Sequence, residues 1–175
     1  MPKRKQTPLV GIVMGSDSDL PIMMETARVL EGLRVPYELE IASAHRSPDR
    51  AAEYARTAAR RGIRVIVVGA GGAFHLGGVV AAHTTLPVIA VPLAGSPLGG
   101  LDALLAAVQM PGGVPVGVMA VGKAGAVNAA IFAAQILAVA DRSLSRRLTE
   151  HKEKLAREVA EKNARLQKQK LGVRS

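Results

Sequence analysis

A chain of 175 residues, 49% of them hydrophobic, is long enough to bury the core of a single domain, and its lack of cysteine excludes disulfides, thiolate nucleophiles and cysteine-based metal sites. The net charge of +9 comes from the two ends, because residues 9–140 are neutral while residues 1–8 and 141–175 carry an excess of Lys and Arg. With aromatic residues at 2% and no recognisable nucleic-acid motif, specific binding of DNA or RNA is not expected.

Neither a targeting segment nor a membrane span is predicted. The first apolar segment, Leu9–Met14, is too short for the hydrophobic part of a signal peptide and ends in a turn of Gly, Ser and Asp. No run of about 18 apolar residues is free of Gly and Pro. We therefore expect a cytoplasmic protein without a membrane partner.

Short apolar segments rich in β-branched residues alternate with helical segments along the chain. The predicted strands are Leu9–Met14, Tyr37–Ile41, Arg64–Val68, Pro87–Val91 and Pro115–Val121. The predicted helices cover residues 20–33, 48–61, 76–84, 101–109 and 124–140. No strand alternates cleanly between polar and apolar residues, which indicates strands buried on both faces.

Five βα units with short connections predict an α/β fold, a three-layer α/β/α sandwich with a five-stranded parallel sheet of the flavodoxin-like type. We expect one α/β catalytic domain over residues 9–141, preceded by a basic tail at residues 1–8. Periodicity alone leaves open whether the strand order is 2-1-3-4-5. Asp19 and Ser47 are the expected N-caps of the first two helices, which carry Pro21 and Pro48 in their first turns.

The C-terminal segment is a separate helix predicted over residues 142–164. Its apolar residues form a narrow stripe that needs a partner surface: Leu144, Leu148, Leu155 and Val159. The helix at 124–140 is apolar almost all round, as expected of a helix buried between subunits. We expect both helices at a subunit interface, the alternative being a terminal helix packed on its own subunit. Residues 165–175 are predicted to be a disordered tail.

The turn after the first strand, Gly15–Asp19, has small residues where backbone can approach a ligand, and it opens a helix. Unpaired N–H groups at a helix start suit a phosphate, and the hydroxyl of Ser16 is a further donor. Asp17 and Asp19 would repel a phosphate that they faced, so at least one should turn away, towards ribose hydroxyls or to cap the helix. An ordinary capped βα turn remains the alternative.

The turn after the second strand, Ser43-Ala44-His45-Arg46, places an imidazole beside a fixed cation where open α/β sheets bind ligands. Arg46 supplies a forked donor suited to phosphate, and a 2-1-3 strand order would place it next to Ser16. Imidazole can give and take protons near neutral pH, so His45 is a candidate general acid and base. A purely structural histidine is the alternative.

The turn after the third strand has four consecutive small residues, Ala70–Ala73, before Phe74 and His75. A Gly-rich floor lets a flat ring or a small neutral molecule lie against backbone amides, although a tight turn before a helix explains the same pattern. The four histidines have no metal-ligand spacing, and no metal site is predicted.

Together these motifs resemble the bacterial 5-(carboxyamino)imidazole ribonucleotide mutases, the class I PurE family. The resemblance spans about residues 9–160 and is carried by five segments: Met14–Asp19 (MGSDSD), Ser43–Asp49 (SAHRSPD), Gly69–Leu76 (GAGGAFHL), Val108–Val116 (VQMPGGVPV) and Gly122–Ala130 (GKAGAVNAA). The sequence departs from the family pattern at Ser47, Phe74, Gly77 and residues 94–97.

The resemblance implies a step of de novo purine biosynthesis in which carboxylate moves from the exocyclic amine of the substrate to the ring carbon, without metal, cofactor or ATP. It implies that His45 is the general acid and base, and that CO₂ is released and recaptured in a closed pocket. The substrate-binding residues implied by the motifs are Ser16, Asp17, Asp19, Ser43, Ala44, Arg46, Gly71, Gly72, Ala73 and His75. A homo-octamer is the assembly typical of the family.

Two other functions stay open. The first is that of the animal-type relative, which carboxylates aminoimidazole ribonucleotide directly with CO₂. That relative carries Lys after the His and has a different third turn, whereas this chain has Arg46 and His75 at those places, which favours the mutase. A non-catalytic nucleotide- or flavin-binding module is the other alternative, and the scarcity of aromatic residues weighs against flavin stacking.

Overall fold

The computed structural model describes residues 7–172, which form one parallel sheet between two layers of helices. The strands are β1 (Val10–Met14), β2 (Tyr37–Ile41), β3 (Val65–Ala70), β4 (Val88–Pro92) and β5 (Gly117–Val118). The helices are α1 (Leu20–Gly32), α2 (Pro48–Ala58), α3 (His75–Ala82), α4 (Leu101–Val108), α5 (Lys123–Ala138) and α6 (Arg142–Gly172). The predicted α/β sandwich is confirmed, and no helix among the described residues has the length and apolar character needed to span a membrane.

The strand order is β2-β1-β3-β4-β5, and every pair is parallel. This is the flavodoxin-like order, in which the chain leaves β1 towards one side for β2 and then returns to the other side for β3. The loops after β1 and β3 therefore start side by side at the carboxyl edge of the sheet and lead to helices on opposite faces, α1 and α3. Ligands of open α/β sheets bind in the crevice that such a reversal leaves.

Residues that alternate along the central strands bury their side chains on opposite faces of the sheet. On one face Ile12 and Val67 pack with the apolar sides of α1 and α5, where Ala130 is fully buried. On the other face Val13 and Val68 pack with α2, α3 and α4. Burial on both faces explains the continuous apolar runs of β1, β3 and β4.

All five strands were predicted to be buried on both faces, and this was wrong for the two edge strands. The residues of β2 are half-buried or exposed, and those of β5 are half-buried. β2 is an edge strand, and its polar residues form ion pairs with α2 and the following turn. Glu40 pairs with Arg50 at 2.5 Å and Glu38 with Arg61 at 2.9 Å. Charged side chains on an edge strand also hinder pairing with another chain.

β5 is much shorter than the predicted Pro115–Val121, because only Gly117 and Val118 pair with β4. Pro115 has no N–H with which to extend the ladder. Beyond β5 the chain still follows β4 irregularly, since the Met119 N–H donates to the Ala90 carbonyl at 2.9 Å.

The predicted caps occupy the expected positions but do not bond as expected. Asp19 and Ser47 precede α1 and α2, and neither side chain accepts a hydrogen bond from its helix. The Asp19 carboxylate instead turns back to the Ser16 N–H, and the Ser47 hydroxyl donates to the Ser43 carbonyl. Both side chains thus shape the turns that precede the helices.

α6 is longer than predicted, because it continues to Gly172 and includes residues 165–172, which were predicted to be disordered. That segment is rich in Arg, Gln, Lys and Leu, all of which favour helix. Residues 173–175 of the predicted disordered tail, and residues 1–6 of the predicted basic tail, lie outside the described residues.

Of the two helices predicted at a subunit interface, α5 packs largely within its own chain, whereas α6 does so only near its start. α5 buries Ala126, Ala130 and Ala134 against α1 and the sheet. In the α6 stripe, Leu144 is buried in the same core, whereas the side chains of Leu155 and Val159 are exposed. Only the later part of the stripe therefore remains available to a partner, and an interface role is still a prediction.

Candidate active site

Three turns meet at the carboxyl edge of the sheet, following β1, β2 and β3. The Arg46 guanidinium crosses to the first turn, where Nη2 donates to the Gly15 carbonyl at 3.1 Å. Nε2 of His45 lies 2.5 Å from Nδ1 of His75, which joins the second turn to the third. The strand order produces this meeting, because β1 lies between β2 and β3.

In the first turn, the two carboxylates turn towards backbone N–H groups. Asp19 Oδ2 accepts from the Ser16 N–H at 3.1 Å, and Asp17 Oδ1 accepts from the Ser18 N–H at 3.0 Å. The Ser16 hydroxyl donates to Asp17 at 3.0 Å. Asp19 thus turns away from the exposed side of the turn, as the sequence suggested that one of the acids should. An incoming anion would compete with Asp17 for the Ser18 N–H and the Ser16 hydroxyl.

Asp19 is the one acidic residue of the turn that is partly withdrawn from solvent. Burial raises the pKa of its carboxyl above the ordinary value, and hydrogen bonds from the backbone N–H groups of Ser16 and Gly15 oppose that rise. The neighbouring Asp17 raises the pKa further, whereas Arg46 lowers it. Asp19 is therefore easier to protonate than a free aspartate.

The second turn is held together by its own serines. The Ser43 N–H donates to the Ser47 hydroxyl at 3.0 Å, and the Arg46 N–H donates to the Ser43 hydroxyl at 3.2 Å. Ala44 is partly buried within the turn, while His45 and Arg46 are exposed. A rigid backbone therefore presents the imidazole and the guanidinium side by side to the crevice.

The third turn brings its small residues against the loop that follows β4. A Cβ on Gly71 would lie 3.3 Å from the Leu93 carbonyl oxygen, and Gly72 has a φ of +56°, which favours glycine. Ala73 is exposed beside them. The predicted floor of small residues is therefore present, and the close approach of the β4 loop explains why a side chain is unwelcome at Gly71.

Phe74 and Gly77, two of the departures from the family pattern, form a complementary pair. Phe74 has a left-handed φ of +51°, and its ring is buried over the first turn of α3. A Cβ on Gly77 would lie 2.7 Å from Cδ1 of that ring. The Phe74 ring thus fills the space that a side chain at Gly77 would occupy. This packing positions the backbone at the start of α3, which carries His75.

We expect Gly77→Ala to lower the free energy of unfolding by about 1–3 kcal/mol, because the added methyl group overpacks the site of the Phe74 ring. Gly78→Ala is the matched control, since its Cβ would make only ordinary contacts of 3.6 Å with Met110 and gain helix propensity. Urea unfolding measures both. Adding Phe74→Ala to Gly77→Ala should remove the clash, and a strictly additive double variant would contradict the proposed pairing.

The hydrogen bond between His45 and His75 is the feature of the site that sequence reasoning missed. Both residues were predicted site residues, but their contact depends on two loops that reach across the end of β1. The ring centroids are 4.7 Å apart at an interplanar angle of 67°. One ring nitrogen must donate and the other accept, so a single proton lies between them. Such a pair couples the tautomers of the two rings, because the proton can lie on either nitrogen but not on both, and it orients both rings.

The predicted site residues differ in their exposure to solvent. His45, Arg46, Ala73 and His75 are exposed, while Gly71, Gly72, Ser16, Asp19, Ser43 and Ala44 are partly buried, and Asp17 is exposed at the rim. Within residues 7–172 no three His, Asp or Glu side chains are grouped as a metal site would require. The arrangement suits proton transfer beside an anchored anion.

The chain is similar to known proteins over most of its length. The family model described as AIR carboxylase matches residues 9–158. The N5-carboxyaminoimidazole ribonucleotide mutase of Bacillus subtilis is 55% identical over 91% of this chain and 98% of its own length. The enzyme of the same name from Thermotoga maritima is 54% identical over 91% of this chain and 92% of its own length.

The fold is similar to that of a solved structure as well. The crystal structure of Treponema denticola PurE superposes with a TM-score of 0.81 and 26% sequence identity. The match covers 91% of this chain and 98% of that chain. Both the sheet and the C-terminal helix region therefore fall within the shared fold.

Proposed function

Because the chain belongs to the AIR carboxylase family, we infer that it is a mutase of de novo purine biosynthesis that converts 5-(carboxyamino)imidazole ribonucleotide to 4-carboxy-5-aminoimidazole ribonucleotide. It is an enzyme of the isomerase class, in agreement with the name mutase that the relatives from Bacillus subtilis and Thermotoga maritima carry. The observation that supports this chemistry is the pairing of His45 with His75 beside Arg46. As a part of the same proposal, the enzyme acts in the cytoplasm.

His45 serves as the general acid and base of the reaction. Protonated His45 gives its proton to the exocyclic nitrogen as the carbamate C–N bond breaks and CO₂ leaves. The ring carbon then attacks CO₂ and forms the new C–C bond. Neutral His45 removes the proton from that ring carbon, which restores the starting protonation state. Substrate and product are isomers, so the cycle balances without ATP, metal or cofactor.

His75 is the positioning partner of His45. Its Nδ1 faces His45 Nε2 at 2.5 Å, and it stands at the first position of α3, where the backbone is set by Phe74. With one shared proton, the tautomer of His45 is coupled to that of His75 when the site is empty, and the contact holds the His45 ring in one orientation. The substrate approaches on the side of the two rings that faces the crevice, where Gly71, Gly72 and Ala73 leave room for the ring and for CO₂.

The ribonucleotide phosphate is held by Arg46 with Ser16 and Ser43, and Asp19 lies beside the ribose. Arg46 already reaches the first turn through its bond to the Gly15 carbonyl, so its guanidinium stands between the two turns that would grip a phosphate. A planar cation can offer two parallel N–H donors to a phosphate. Asp17, Ala44 and the small residues of the third turn complete the contact surface.

Arg46→Ala should raise KM for the carboxyamino nucleotide by about 10- to 100-fold, since a hydrogen bond to a charged group contributes about 1.5–3 kcal/mol. Steady-state kinetics measures the change. Arg50→Ala is the matched control, because Arg50 pairs with Glu40 on the edge strand, outside the three turns. An Arg46→Ala enzyme with unchanged affinity would exclude the phosphate contact.

Isomerisation of the carboxyamino nucleotide without added ATP is the experiment that tests the function. A direct carboxylase would instead require aminoimidazole ribonucleotide and CO₂ or bicarbonate. Rapid product formation from the carboxyamino substrate alone supports the mutase. Turnover confined to the decarboxylated nucleotide with bicarbonate would identify the carboxylase, and no turnover of either would indicate a binding module.

The enzyme is also proposed to be a homo-oligomer, and an octamer by resemblance. In support, large apolar side chains stay exposed just after α5 and on α6: Val139 is 90% exposed, Leu155 48% and Val159 65%. Burying such side chains is favourable by about 25 cal/mol per Å² of apolar surface. A second copy of the chain is the partner that the proposal names.

Leu155→Ser with Val159→Ser should shift the enzyme towards smaller assemblies in sedimentation velocity, because the exposed half of the α6 stripe is lost. Both residues lie beyond the part of α6 that packs on its own core, so that the fold should stay intact. Lys152→Ser with Lys162→Ser makes the control on the same helix. Equal sedimentation of the two double variants would count against the interface.

A further inference from the structure

A basic cavity of about 720 Å³ lies between the C-terminal end of α1 and the first half of α6. α1 begins at the carboxyl edge of the sheet, after β1, and runs back along the sheet, so its end lies at the opposite edge. The three turns of the candidate active site follow the carboxyl ends of the strands. The basic cavity is therefore a separate feature at the other end of the molecule.

The cavity is lined mainly by positively charged side chains that lie outside the candidate active site. Five basic side chains line it against one carboxylate, that of Glu150, and these are Arg34, Arg146, Arg147, Lys154 and Arg157. Val29 and Leu33 form an apolar part of its wall. Much of the basic excess of residues 141–175 is thus gathered at one concave place.

One of the five cations, Arg147, is held in place by hydrogen bonds to the fold, and the others differ in whether they form ion pairs. Arg147 Nε donates to the Leu33 carbonyl at 2.8 Å and its Nη1 to the Ser143 hydroxyl at 2.7 Å. Across residues 7–172, Arg34 and Arg146 form no ion pair, whereas Lys154 pairs with Glu158 at 4.0 Å and Arg157 with Glu153 at 3.8 Å. Within the described residues, the charges of Arg34 and Arg146 are therefore not compensated by an ion pair.

We propose that the basic cavity binds a small molecule that carries two or more linked phosphate groups. Its volume is that of sites for nucleotide-sized ligands, and clustered guanidinium groups match phosphate oxygens with parallel N–H donors. The imidazole of His151 is the one aromatic ring among the lining residues, so the cavity offers a base at most one stacking partner. The phosphates, rather than a nucleoside, are what the cavity recognises.

Inorganic triphosphate and ATP are the probes, titrated by calorimetry into the full chain at low ionic strength. Both should bind with similar affinity at one site per chain, and adenosine should not bind. Arg146→Glu with Lys154→Glu should weaken triphosphate binding by about tenfold or more. Lys162→Glu with Arg165→Glu changes the net charge equally on the same helix, outside the cavity, and should retain most of the affinity.

Arg46→Ala tests whether triphosphate binds in the basic cavity or in the candidate active site. Its affinity for triphosphate should equal that of the unaltered protein, because Arg46 does not line the cavity. Absent binding, equal losses in the two double variants, or loss in Arg46→Ala would overturn the proposal. Binding of RNA with no binding of triphosphate would also overturn it. If the charge-reversed protein fails to fold by circular dichroism, Arg146→Gln with Lys154→Gln carries the same test.

Discussion

His45→Asn is expected to lower kcat by about 10²- to 10⁴-fold, because the carboxamide can neither give a proton to the departing nitrogen nor remove one from the ring carbon. Asn keeps a polar group of similar reach, so the ribonucleotide should still bind. The Arg46 guanidinium, which faces the Gly15 carbonyl, is untouched by the change. Steady-state turnover, together with calorimetric titration of the nucleotide, measures both effects.

His83→Asn is the control for this variant. His83 lies at the end of α3, where its Nδ1 bonds to the Val79 carbonyl at 2.9 Å, far along the helix from His75. The same chemical change there should leave kcat near that of the unaltered enzyme. A His45→Asn enzyme that turns over as fast as His83→Asn would contradict the acid–base role of His45.

Gly125→Ala should lower the free energy of unfolding by about 3 kcal/mol or more, which is a large share of the roughly 5–15 kcal/mol that stabilises a domain. Gly125 is buried in the first turn of α5, where a Cβ would collide with the carbonyl oxygen of Ala120. That oxygen belongs to the backbone and cannot rotate away. The turn between β5 and α5 would have to move, and the buried bond from Thr26 to the Ala126 carbonyl with it.

Urea unfolding of Gly125→Ala is compared with that of Gly32→Ala. Gly32 is the last residue of α1, and a Cβ there would meet nothing within 4 Å. The control should be neutral or more stable by up to about 1 kcal/mol, since Ala favours helix over Gly. Equal unfolding midpoints for the two variants would show that the α5 turn yields to the added methyl group.

Several features of this protein were predictable from local sequence alone. The runs of β-branched residues located β1 to β4 within two residues at each end, because burial on one or both faces leaves a local apolar pattern. Parallel βα units also force His45, Arg46 and the third turn to the same edge of the sheet. The motifs around them were sufficient to identify the family.

Other features depended on which elements become neighbours. The exposure of β2 follows from its place at the edge of the sheet, and the contact of His45 with His75 follows from loops that cross the end of β1. The fit of Phe74 to Gly77 and the basic cavity beside α6 likewise join surfaces whose meeting no local pattern encodes. Sequence periodicity and turn chemistry report what each segment forms and which face is buried. Contacts between segments are decided by the packing of the whole chain, because each one depends on the position and orientation of all the elements around it.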